Sequence, residues 1–219
     1  MYNLLGVLLV VVFIGGILLI LILDPRTGFV ATSMKMRRAI SSPWSLAEFI
    51  RLESSKRKNY QYYSFSEENV RSLGHRYVGR LDAAILHWEQ TPILDLVIEY
   101  KFPVNHLPNK AREEDVFQSG LYALALQESG VSCSSARIVT IYCFQDKAKE
   151  CVSQKTARQC WRCNDGKTFT TRFRPGRVQK DLSKLDEVWY KGRRARPVQK
   201  PSICRACPYS KNRCNYSAI

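Results

Sequence analysis

The chain has 219 residues, 45% of them hydrophobic, which suits one globular domain once an apolar N-terminal segment is set aside. Its formal charge of +15 biases it towards anionic partners. All eight cysteines lie in the second half, at 133, 143, 151, 160, 163, 204, 207 and 214, a distribution unlike that of a disulfide-stapled secreted domain.

Leu4 to Leu23 (LLGVLLVVVFIGGILLILIL) carries no charge. At 1.5 Å per residue a helix of that length spans about 30 Å, the thickness of a bilayer core, so the sequence predicts a transmembrane anchor over residues 1–24. A signal peptide needs a shorter apolar core behind a basic start, which MYN does not supply. Positive charge follows the apolar run, at Arg26, Lys35, Arg37 and Arg38, which predicts a single-pass protein with its N-terminus outside and residues after 24 in the cytoplasm. Residues 25–42 mix Pro, Gly, Ser, Thr and basic side chains and read as a basic tether. The folded domain is expected over 43–219, opening with a helix at Pro43-Trp44-Ser45 whose apolar stripe is Leu46, Phe49 and Ile50. Lys56 to Tyr63 (KRKNYQYY) interleaves basic residues and tyrosines, either a plain basic loop or a surface for phosphates and unstacked bases.

Arg80 to Leu86 and Ile93 to Lys101 (ILDLVIEYK) are short apolar runs, the second bounded by prolines, and read as neighbouring strands. Residues two apart on a strand share a face, so Glu99 and Lys101 project together and Tyr100 points away. With Asp82 from the preceding strand, that face offers two carboxylates for a hard divalent cation, Mg²⁺ or Mn²⁺, and a positive charge beside it. The competing reading of Glu-x-Lys is an ordinary surface ion pair. Asp95 shares the parity of Glu99 but lies about 13 Å back along the strand. By the same parity His75 and His87 face away from Asp82. After a loop over Pro103 to Glu114, Asp115 to Gly130 is helix-like and sets Gln118 and Tyr122 on one face. Arg137 to Phe144 and Lys167 to Phe173 read as further strands and Asp181 to Tyr190 as a late helix. Helix, strands, helix, strands predicts an α/β domain with a mixed central sheet flanked by helices.

Two C-x-x-C pairs, Cys160/Cys163 and Cys204/Cys207, stand out, the second continued by Cys214. Thiolates select soft metals, so a Zn²⁺ site at Cys160, Cys163, Cys204 and Cys207 and an iron-sulfur cluster both remain open. From Cys160 onward there are fifteen Lys and Arg against four Asp and Glu, an excess of 15 − 4 = +11 away from the apolar segment, which favours nucleic acid over membrane as the partner.

GRLD, IEYK and QSGLY, in this order and spacing, resemble the PD-(D/E)XK nuclease superfamily and within it the RecB-like exonucleases. The terminal CRACPYSKNRC is similar to that of the CRISPR-associated RecB-like nucleases, which carry a 4Fe-4S cluster. The resemblance, over Trp44 to Cys214, implies a restriction-endonuclease-like fold and a metal-dependent deoxyribonuclease acting on single-stranded or end-bearing DNA. Asp82 and Glu99, with the Tyr100 carbonyl as a third ligand, would hold the cation. Lys101 would position water or stabilise developing charge, and Gln118 and Tyr122 would orient substrate and site. Cys204, Cys207 and Cys214 would bind the cluster. The family's fourth cysteine precedes the catalytic strands, whereas no cysteine here precedes 133, so either Cys160 or Cys163 supplies it or the cluster has been replaced by zinc or lost. The first helix of the family contributes an acidic or histidine ligand or shapes the DNA entry, for which Glu48 and Glu53 are the matches, and a solvated helix face is the competing reading of both. Two other classes fit the same residues: a membrane-tethered nucleic-acid binder without catalysis, and a zinc-binding scaffold.

Overall fold

The computed structural model describes residues 11–16, 32–154, 160–161, 163–194, 200–208, 210, 214–215 and 217. It divides into two compact units, residues 1–178 and 179–219. Most of the apolar stretch Leu4 to Leu23 lies outside the described residues. Its residues 11–16 are helical and exposed, and among the described residues no helix is long and apolar enough to cross a membrane.

The first unit is an α/β fold built on a six-stranded mixed sheet whose spatial order follows the sequence: β1 (Ile40–Ser41), β2 (Tyr63–Ser72), β3 (Tyr77–Trp88), β4 (Pro92–Lys101), β5 (Arg137–Cys143) and β6 (Gly166–Arg172). β1 runs parallel to β2 and β4 parallel to β5; the other neighbours are antiparallel. The parallel β4–β5 step needs a crossover, which α2 (Glu113–Glu128) supplies while packing over β2, β3, β4 and β5. Three acids in its first turn suit the positive end of the helix dipole, and Gly130, at φ 91°, follows its end.

α1 (Leu46–Ile50) begins one turn later than Pro43 suggests, because Ser45 is its cap: the Ser45 hydroxyl accepts the Glu48 amide and the Glu48 carboxylate accepts the Ser45 amide. It buries Phe49 against Tyr63, Phe65 and Trp88. α3 (Gln145–Ser153) follows β5, and α4 (Pro175–Trp189) begins six residues before Asp181 and carries the division between the units. In the second unit α5 (Pro201–Ala206) starts on a proline, which costs no intrahelical hydrogen bond there.

Ordered structure extends into the stretch expected to be a tether. Residues 32–38 are helical and Ile40–Ser41 join the sheet, with Met36 and Ala39 packed on a core of Ala83, Ile85, Leu96, Ile98, Val139 and Ile141. The strand parity of Asp95 also fails, for a specific reason. Ile85 pairs with Leu96 and Leu86 with Leu94, so Asp95 is the extra residue of a β-bulge. It is 1% exposed and bonded to His87 Nδ1 and Lys35 Nζ, both at 2.5 Å, away from Glu99 and Lys101.

Candidate active site

Two strands that separate build the site. β3 and β4 pair only as far as Ala83 and Ile98. Past that point the Asp82 carboxylate takes over from the backbone, accepting the Tyr100 amide at 2.7 Å. Opposite Asp82 on β2, Glu67 holds φ 58°, a left-handed conformation that costs a non-glycine residue about 1–2 kcal/mol. The alternation of faces breaks here. Ala83 and Ile85 belong to the core beneath residues 32–38, whereas Gly79, of the same parity, lies against Tyr122 of α2.

Glu99 and Lys101 lie together beneath α2, as the strand spacing predicts. Lys101 Nζ donates to Glu99 Oε1 at 2.6 Å and to Gln118 Oε1 at 2.9 Å, and Gln118 Nε2 donates to the Tyr122 hydroxyl at 2.7 Å. Glu99 is 2% exposed, and its second oxygen, Oε2, is buried without a hydrogen-bond partner. Burial pushes its carboxyl above the ordinary range; Lys101 opposes that rise, and Asp82 and Asp115 add to it. Burial works against the charge on Lys101, but the hydrogen bond to Glu99 and the surrounding carboxylates outweigh it and raise its pKa. Lys101 is therefore a protonated cation at neutral pH, suited to meeting negative charge and not to removing a proton. Tyr100 turns to the other face, onto the core with Cys160 and Trp161, where burial pushes its phenol up to about 12.

Two residues at the site, Asp115 and Gly79, escaped the sequence reading. Asp115 lies 3.6 Å from Lys101 Nζ and accepts the Tyr142 hydroxyl at 2.5 Å, while Tyr142 in turn accepts the Arg112 amide. As an acid in the first turn of a helix, Asp115 carried no signal beyond dipole matching. Gly79 is needed because a Cβ there would sit 2.6 Å from Tyr122 Cε1. Glu48 caps α1, and Glu53 is exposed beside Lys56, so both are accounted for by local structure.

The site thus brings two carboxylates of adjoining strands, one with an orphaned buried oxygen, beside a protonated lysine, and oxygen donors are the ligand type that hard divalent cations take. Comparison with protein-family models and with curated proteins returns no match.

The cysteines lie in both units. Cys143 is buried and Cys160 and Cys163 are half-buried in the first unit, with the Cys163 amide on the Cys160 carbonyl. In the second, Cys207 closes α5 onto Cys204, which is buried, while Cys214 is exposed. Among the described residues no three His, Cys, Asp or Glu side chains converge to hold a metal ion.

Proposed function

We propose that this chain is a metal-dependent nuclease that hydrolyses phosphodiester bonds of DNA, with Asp82 and Glu99 holding Mg²⁺ or Mn²⁺. The single observation that carries this reading is the unpartnered Glu99 Oε2. A buried carboxylate oxygen left unsatisfied costs on the order of a few kcal/mol, and a cation ligated there removes that cost. The ion, when bound, supplies Lewis-acid polarisation of the phosphate and a more acidic water. Lys101, held between Glu99 and Gln118, presents its ammonium to the charge that develops on the phosphate. Tyr122 fixes Gln118, and Gln118 fixes Lys101, so the QSGLY helix acts by orienting the cation-bearing side chain. The net charge of +15 favours a polyanionic substrate without sequence readout.

The same proposal includes anchoring through Leu4 to Leu23 with the catalytic unit in the cytoplasm, and an iron-sulfur cluster at Cys204, Cys207 and Cys214 completed by Cys160 or Cys163. Both rest on sequence pattern. The nuclease reading is tested by incubating the full chain with single-stranded and blunt-ended DNA. Acid-soluble nucleotides should accumulate with Mg²⁺ or Mn²⁺ and stop on adding EDTA. Intact DNA under both ions would sink it.

A further inference from the structure

A cleft of about 670 Å³ opens in the first unit between the loop after α2 and the junction of β6 with α4. Arg172, Arg174 and Arg177 line it, with Gln127, Ser132 and Ser134 supplying neutral polar groups, and no carboxylate is among its lining residues. Arg172 also stands directly opposite Arg137 across the antiparallel β5–β6 pair. Like charges in that position repel and destabilise a sheet. Among the described residues the only ion pair of these four arginines is a 3.7 Å contact of Arg177 with Glu113, both largely exposed, which offsets little. Positive charge gathered against its own repulsion around an open cleft is matched by a ligand bearing several negative charges.

We propose that this cleft is a second phosphate-binding site, which holds the backbone of a nucleic-acid strand engaged by the Asp82–Glu99 site. It rests on the nuclease reading for the identity of the strand. Lys101 lies five positions beyond Leu96, the partner of Arg137, which is about 17 Å along the strands, and β6 lies two strands from β4, about 10 Å across. Roughly 20 Å therefore separates the two sites, the length of about six stacked nucleotides. A strand shorter than that reaches one site only, and a longer one bridges both.

The test is binding of labelled oligothymidylates to the full chain in EDTA, where no cleavage occurs, for the parent and an Arg172→Gln/Arg174→Gln/Arg177→Gln variant. The three side chains are exposed, so the variant is expected to fold. For an oligomer of about 20 nucleotides it should lose at least about tenfold in affinity at about 0.1 M salt, and its log–log salt slope should flatten by about 2, for three phosphate contacts at about 0.7 each. An oligomer of about 4 nucleotides, which can occupy the cleft by itself, should lose affinity too, and the corresponding triple lysine variant should keep the parent's slope. An unchanged slope with the long oligomer overturns the proposal, as does an unchanged affinity for the short one. Loss of affinity for phosphatidylserine vesicles with DNA affinity kept would assign the cleft to a membrane surface and overturn it too. Because binding is read without metal, a failure of catalysis at Glu99 leaves this result unaffected.

Discussion

Glu99 places a carboxylate where water cannot reach it, with one oxygen on Lys101 and the other unpaired. Burial first, and then Asp82 and Asp115, hold its pKa above the ordinary 4.5 in the folded chain. A carboxyl whose folded pKa is raised contributes stability that is fully present below the unfolded value and is lost as pH rises through the folded one. Towards neutral pH, where the unfolded chain's carboxyl is ionised, burial of Glu99 thus works against folding. Glu99→Gln should raise the Tm of the full chain at about pH 7.5 in EDTA, with the gain disappearing as pH falls below about 4.5. Mg²⁺ should raise the Tm of the parent and leave that of the variant unmoved. A parent more stable than the variant in EDTA at neutral pH would show that the Lys101 pair outweighs burial.

At the scale of elements, the site depends on how closely α2 approaches β3. Gly79→Ala would press a Cβ into the Tyr122 ring, and Gly120→Ala would set one 2.7 Å from Val178 Cγ2. Each should cost about 1–3 kcal/mol in denaturant unfolding. The Gly79 variant should also lose activity, as Tyr122 is pushed off Gln118. Recovery of stability in a Gly79→Ala/Tyr122→Leu double variant would assign the loss to this contact, and melting of Gly79→Ala at the parent's temperature would refute it. The bulge at Asp95 makes a second prediction. Burial opposes the charge on His87, but Asp95 and Glu89 outweigh it and lift its pKa above 6.5. A histidine raised in this way stabilises fully below about pH 6.5, and the contribution is lost as pH rises through the folded value. Tm should therefore fall over that range in the parent and not in His87→Gln, scanned in parallel.

β4 and α2 were legible because an apolar run between prolines, and a helix carrying Gln118 and Tyr122, report their own boundaries. β2 was not. Its second half, SEENVRS, lacks apolar alternation, and a left-handed Glu67 is invisible to pattern. Residues 32–41 read as tether by their basic composition, yet Lys35 reaches Asp95 and Met36 reaches the core, contacts that only the tertiary fold creates. The bulge shifted Asp95 off the face that period-two counting assigns it.

Across the whole molecule, the charge of +15 biases the chain towards anionic partners, and its cysteines lie in both units. If the cluster reading holds, anaerobically purified full-length protein should be brown and contain iron and sulfide; colourless protein with stoichiometric zinc would replace the cluster by a zinc site. Hydrolysis at Asp82, Glu99 and Lys101 is tested most directly by single-turnover cleavage of end-labelled single-stranded DNA by the parent, Glu99→Ala and Lys101→Ala with Mg²⁺ or Mn²⁺. Each variant should cleave about a hundredfold or more slowly than the parent, the loss expected when a group acting on the transition state is removed. Variants that cleave as fast as the parent would contradict the assignment of this site.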